Sequence, residues 1–222
     1  MAREILSPAQ KKFISLFSEN KGLKEKFYLT GGTALSAYYL HHRYSEDLDF
    51  FSLSQIEILG IDVFLKEIKP VLKIKKIDFQ QSFNRNIYFL HIEKDVLKTE
   101  FTYFPFEHIE KPAKKDNIYI DSALDIAANK AFTIYQNPRA RDFIDLYYII
   151  LKYPHLSLRK LLKMARIKFD SIIDPIQLGA QLLKAQDMRD LPRMLQKIDH
   201  QKWRVFFLNE AKNASDSIFK SN

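Results

Sequence analysis

Cysteine is absent from this chain of 222 residues. Disulfides, thiolate zinc sites and cysteine nucleophiles are thereby excluded. A small disulfide-stapled secreted fold is excluded with them. Glycine is scarce at 5 residues and proline modest at 8, which rules out collagenous and low-complexity classes. No window approaches the ~18 uninterrupted apolar residues of a membrane span. Met1-Ala2-Arg3-Glu4-Ile5-Leu6 lacks the apolar stretch of a signal peptide. A cytoplasmic protein in a reducing compartment is therefore the expectation. No internal repeat and no Ser/Gly/Pro linker is visible.

What is present is core material and basic charge. Apolar residues make up 46% and include 18 Phe and 11 Tyr, enough large side chains for a packed interior. The formal net charge is +8, and it is unevenly placed. Residues 151–222 carry 14 Lys and Arg against 7 Asp and Glu, whereas residues 1–150 carry 21 against 20. A basic final third suits a partner with phosphates, most simply nucleic acid. The plain alternative is a set of solvated Lys-rich helix faces.

The apolar pattern divides the chain near residue 120. Ser7-Pro8 opens a helix, with Ser as N-cap and Pro in the first turn. Asn20-Lys21-Gly22 closes it. Phe27–Thr30 is a short buried strand ending at Gly31-Gly32, and residues 33–40 form the following helix. Residues 47–51 read as a strand, residues 61–72 as a helix. Residues 73–81, 86–92 and 96–104 read as strands, and residues 118–120 as a further short one. From Asp121 onward only helical periodicity remains, over residues 121–135, 141–152, 157–168, 175–186 and 202–219. The expectation is an α+β lobe over residues 1–120 and a helical lobe over residues 121–222, basic after residue 150.

Two neighbouring segments carry chemistry. Asp47 and Asp49, at i and i+2 on a strand, point to one face. Carboxylates that close repel unless a cation lies between them, and oxygen-only ligation favours Mg²⁺ or Mn²⁺. Leu48, Phe50 and Phe51 are expected to face the core. At Gly31-Gly32-Thr33 the missing Cβ atoms admit a phosphate to the backbone, where N–H groups at a helix start bind the anion. Thr33 or Ser45 can add a hydroxyl, and Arg43 a bidentate phosphate contact. Metal ions beside a phosphate cradle suit phosphoryl or nucleotidyl transfer. A third acid on a neighbouring strand is expected at Glu100, with Asp78 as competitor.

The run from Phe27 through Gly31-Gly32-Thr33, followed by Arg43-x-Ser45-x-Asp47-x-Asp49, resembles the AbiEii/AbiGii-type nucleotidyltransferase toxin family. That family lies within the DNA polymerase β-like nucleotidyltransferase superfamily. Lys98-Thr99-Glu100 matches its second motif with Glu in place of Asp. Lys130 matches a helical lysine, and Arg141-Asp142-x-x-Asp145 a fourth motif. The resemblance covers residues 27 to about 150. It implies a polymerase β-like nucleotidyltransferase lobe followed by a helical lobe, and a metal-dependent transfer of NMP from an NTP to a hydroxyl. It also implies the toxin half of a toxin–antitoxin pair, with an antitoxin protein as partner and, in some members, tRNA as acceptor.

Under this reading Asp47, Asp49 and Glu100 hold metal, with Glu100 also able to help activate the attacking hydroxyl. Gly31, Gly32 and Thr33 bind the triphosphate. Arg43 and Ser45 either contact nucleotide or scaffold their loop. Lys130, on a mostly apolar helix face, needs an anionic partner. Asp142 and Asp145 either pair with Lys130 or Arg139 or contact the base. His41 and His42 lack the spacing of a zinc site. Trp203 either stacks on a base or packs internally. Arg159, Lys160, Lys163, Arg166, Lys168, Arg189 and Arg193 are candidates for holding an RNA backbone. The same catalytic lobe would also suit a small molecule or protein acceptor. A non-catalytic nucleotide-binding module is the reading from another class.

Overall fold

The computed structural model describes residues 4–93 and 95–219. The chain forms two compact units, residues 1–122 and 123–222. In the first unit, seven described strands form one mixed sheet: β1 (Tyr28–Thr30), β2 (Leu48–Ser52), β3 (Ile74–Ser82), β4 (Arg85–Ile92), β5 (Asp95–Tyr103), β6 (Ala113–Lys115) and β7 (Ile118–Ile120). Their order across the sheet is β3-β4-β5-β2-β1-β7-β6. The β2–β5 and β1–β7 pairs are parallel; the others are antiparallel. Asp116 and Asn117, both with positive φ, turn β6 into β7. No apolar alternation announced β6, whose three residues are exposed.

The first unit's helices are α1 (Pro8–Glu19), α2 (Lys21–Lys24), α3 (Gly31–Leu35) and α4 (Ile58–Ile68). α1 starts as its sequence predicts: Ser7 accepts from the Gln10 N–H, and the Gln10 side chain accepts from the Ser7 N–H. This reciprocal pair satisfies two otherwise unpaired helix-end donors. Asn20 then ends α1 and caps α2, its side chain accepting from the Leu23 N–H. α4 starts three residues earlier than expected and stops at Ile68, before Pro70.

Period-two burial gives the sheet a core face. Leu48 and Phe50 on β2, Leu97 and Phe101 on β5, and Tyr88 and Leu90 on β4 are all buried. Phe50 stacks on Phe17 of α1 at 4.3 Å and on Phe101 at 5.4 Å, while Phe64 of α4 meets Phe17 edge-on at 5.8 Å. Phe51 departs from the expectation. It lies on the opposite face, half-buried, with its ring against Tyr28 and Phe104. Strand alternation requires this: Phe51 shares parity with Asp49, not with Phe50.

The second unit is helical: α5 (Ala123–Gln136), α6 (Ala140–Lys152), α7 (Leu158–Lys168), α8 (Pro175–Leu183) and α9 (His200–Phe219). A 3₁₀ turn, Lys184–Gln186, extends α8. Ser157 caps α7 and Asp174 caps α8. Trp203 of α9 is fully buried, stacks near Phe143 of α6 at 6.0 Å, and donates its indole N–H to His200 Nδ1. Of the two roles weighed for Trp203, internal packing is the one its surroundings match. Among the described residues no helix is long and apolar enough to cross a membrane.

Candidate active site

The face of the sheet opposite the aromatic core is polar where β4, β5 and β2 adjoin. In the parallel β2–β5 ladder, Asp49 pairs in register with Glu100, and directly opposed residues point the same way. One step earlier, Asp47 precedes β2, and Lys98 of β5 donates to its Oδ2 at 2.9 Å. Three carboxylates thus line adjacent rows of two neighbouring strands. Asp78, the competing third acid, sits on the edge strand β3, separated from Asp49 by β4 and β5. There its carboxyl pKa is lowered by hydrogen bonds with Lys76 and then with His91.

Each acid meets a different environment. The Asp47 and Lys98 side chains are about a quarter exposed. Glu100 is buried, and Arg85 of β4 grips it from two sides: Nε to Oε1 at 2.7 Å and Nη2 to Oε2 at 2.5 Å. The Thr102 hydroxyl also donates to Oε1. Arg85 is the first residue of β4 and pairs with Thr102, so its long side chain crosses diagonally to Glu100. The Arg85 pKa is raised, first by its hydrogen bonds to Glu100; partial burial opposes this, and the charges of Glu100, Asp49 and Asp47 add to it.

The Gly-Gly turn adjoins these acids. Gly31 has φ +71°, and a Cβ there would collide with Asp49 Oδ2. A Cβ on Gly32 would collide with Arg43 Nη2 and lie 3.0 Å from Ser45 Oγ. Gly31 is required by its backbone, and at both positions a Cβ would displace a side chain of this cluster: Asp49 at Gly31, the Arg43 guanidinium at Gly32. Gly31 opens α3, which continues as a π-helical turn, Ser36–Leu40, ending at His41 with positive φ. The N-cap residue Thr30 places no side-chain hydrogen bond on the helix; its hydroxyl donates to Asp121 instead, at 2.7 Å. Thr33 donates to the Asp47 carbonyl. Arg43 is buried and donates to the Tyr44 carbonyl at 2.9 Å.

The connection carrying Arg43 and Ser45 is fastened from a distance. The Gln10 amide of α1 donates to the carbonyls of Ser45 and Glu46 at 2.9 and 3.1 Å. These bonds link residues 35 and 36 positions apart. Their only sequence signal is a polar residue on the apolar side of α1. Arg85 was likewise missed: it opens β4 one residue before the strand expected over residues 86–92, and its pairing with Glu100 depends on register. Gly31, Gly32, Thr33, Arg43, Ser45, Asp47, Asp49 and Glu100 all lie within the first unit.

Lys130, Asp142 and Asp145 come together in the second unit. Lys130 Nζ lies 2.7 Å from Asp142 Oδ1 and 2.8 Å from Asp145 Oδ2, with all three side chains buried. Asp142 also accepts from the Arg139 N–H at the start of α6. The Asp142–Asp145 spacing places both on one helix side, facing the α5 lysine. Lys168, offered as an RNA-binding cation, instead forms a buried ion pair with Asp125 at 2.7 Å. It lies on the packed side of the end of α7, so it is removed from the exposed set. Arg159, Lys160, Lys163 and Arg166 remain exposed along α7, opposite its buried Leu158, Leu161, Leu162 and Ala165.

A glycine turn set against strand carboxylates, on a mixed sheet with flanking helices, is the arrangement that the resemblance of residues 27–150 implies. Residues 15–216 match the family described as nucleotidyl transferase AbiEii toxin, type IV TA system. The chain belongs to that family, and it is a nucleotidyltransferase by class. It is 31% identical over 166 residues to the uncharacterized protein aq_aa25 of Aquifex aeolicus (strain VF5), covering 74% of each chain. It is similar in fold to a crystal structure from H. pylori provisionally assigned as a nucleotidyltransferase, with TM-score 0.62, 22% identity, and 98% and 99% of the two chains covered. JHP933 from Helicobacter pylori is similar at TM-score 0.60 and 20% identity, with 96% and 91% covered.

The three acids suit a hard divalent cation in donor type: their donors are all carboxylate oxygens, and they lie on adjacent rows of two neighbouring strands.

Proposed function

We propose that this chain transfers a nucleoside monophosphate from an NTP to a hydroxyl of an RNA acceptor, most simply a tRNA, as the toxin component of a toxin–antitoxin pair in the cytoplasm. The observation that carries the reading is the in-register pairing of Asp49 with Glu100 beside the Gly31 turn. Asp47, Asp49 and Glu100 would hold Mg²⁺ or Mn²⁺. Such an ion neutralises phosphoryl charge and favours the deprotonated acceptor hydroxyl when bound.

The remaining steps belong to the chain's own groups. The start of α3 offers backbone N–H groups to the triphosphate, since Thr30 directs its hydroxyl to Asp121. Gly31 and Gly32 keep that approach open. Arg43, packed against Gly32 beside Ser45, supplies positive charge to the phosphates. Thr33 fixes the backbone before β2 through the Asp47 carbonyl, which holds the direction of the first acid. Lys130, clamped between Asp142 and Asp145, is the second unit's candidate for nucleotide handling. The exposed cations of α7 favour a polyanionic acceptor.

The test incubates purified protein with Mg²⁺ or Mn²⁺, each of four α-³²P-labelled NTPs and total cellular RNA, with Asp49→Ala as control. Label in a discrete RNA band with the wild type alone is the expected result. Label in protein or a small molecule overturns the acceptor but keeps the transferase. No transfer with any nucleotide and either metal favours a binding module.

A further inference from the structure

Glu100 is asked to serve two cations. Both of its oxygens already accept from Arg85, and Oε1 accepts from Thr102 as well. The guanidinium fork and the Thr102 hydroxyl take three of the carboxylate's roughly four lone-pair sites, so a metal ion cannot be held by both oxygens while the clamp is closed. Glu100 is buried, so it cannot swing into solvent to serve both. The Arg85 side chain is about half exposed, at 52%, so Arg85 is the partner able to leave. Lys98 stands in a similar relation to Asp47, but with a single bond to one oxygen at 2.9 Å, leaving the other oxygen for a second cation.

We propose that Arg85 is a built-in competitor for the divalent cation at Glu100: the guanidinium clamp and ligation through both Glu100 oxygens exclude each other, so Arg85 lowers the metal affinity of the site. The inference rests on the reading of Asp47, Asp49 and Glu100 as the metal site. Its physical content is a shift between two populations. Ligation through both Glu100 oxygens requires the fraction of molecules with the clamp open, and the apparent affinity of that mode falls by that fraction. A bidentate charge-assisted pair on a buried carboxylate keeps the open fraction small. Removing the clamp should tighten metal binding by about tenfold or more. With the clamp in place, the buried carboxylate is not left unpaired when metal is scarce.

The experiment measures Mn²⁺ binding to the full chain without nucleotide, by the loss of the free-ion EPR signal. Arg85→Gln should lower the dissociation constant about tenfold. In a Glu100→Gln background the same substitution should have no effect. Arg85→Lys keeps the charge, loses the fork and should bind between the two; it also serves if Arg85→Gln fails to fold. In a Mg²⁺ titration followed by NMR, the Arg85 Nε–H resonance should shift with the midpoint of metal binding. Unchanged or weaker Mn²⁺ binding in Arg85→Gln overturns the proposal, as does equal tightening in the Glu100→Gln background or an unmoved Nε–H resonance at saturating Mg²⁺. If Arg85→Lys alone is measurable, affinity equal to the wild type overturns it. The underlying site reading fails separately: it falls if Asp49→Asn leaves wild-type Mn²⁺ binding intact.

Discussion

Gly31 and Gly60 make a contrast that isolates what a missing Cβ does here. Gly31 sits at φ +71° with Asp49 Oδ2 where its Cβ would be, whereas Gly60 lies in α4 with no atom within 4 Å of that position. An L side chain in the left-handed region costs about 1–2 kcal/mol. At Gly31 the displaced atom is a site carboxylate, so the damage should extend to function. Gly31→Ala is expected to lose about 1–3 kcal/mol in urea unfolding and most nucleotide transfer. Gly60→Ala should gain about 0.5–1 kcal/mol, because alanine is the better helix former, and leave transfer unchanged. Equal effects of the two substitutions would remove the special role assigned to Gly31.

The elements themselves were largely legible, because their signals are local. Ser7-Pro8 fixes the start of α1, Ser157 the start of α7, and the alternation around Asp47 and Asp49 fixes their shared face. Pairings across the chain were not legible. Period-two patterning says which face a strand residue takes but not which residue lies beside it. Glu100 was therefore selected as an acid in a strand-like run, while its in-register partnership with Asp49 and its capture by Arg85 required the ladder. Parity was available in the sequence for Phe51, and reading it simply as apolar placed it on the wrong face. Lys168 shows the converse error: a cation on a basic helix is assumed to be solvated, yet Asp125 of α5 draws it inside. For Lys130 the need for an anionic partner was visible, and α6 supplies two. Lys130→Met would remove the ammonium between two buried carboxylates, with Asp142 keeping the half-exposed Arg139 guanidinium at 3.7 Å. It is expected to lose about 3–5 kcal/mol by denaturant unfolding. A loss under about 1 kcal/mol would mean that Asp142 and Asp145 reach water or another cation.

The uneven charge of the chain gains a location from the fold. Four of its cations, Arg159, Lys160, Lys163 and Arg166, lie exposed along α7, whose other side is packed. Helical spacing places residues 159, 163 and 166 on one stripe, so the excess charge is a surface feature and not a scatter. A stripe of this kind binds polyanions by releasing counterions, an effect that depends on charge number more than on sequence. Binding of single-stranded RNA to the full chain should therefore weaken steeply with salt. Replacing Arg159, Lys163 and Arg166 by Gln should flatten the slope of log K against log salt by about 2, at ~0.7 for each phosphate that is no longer neutralised. The measurement is fluorescence anisotropy across a salt series, with Arg85→Gln compared alongside. An unchanged slope in the triple variant would move the acceptor's phosphates off α7, even if transfer to RNA persists. A slope changed by Arg85→Gln as well would mean that the clamp residue also meets the acceptor's backbone.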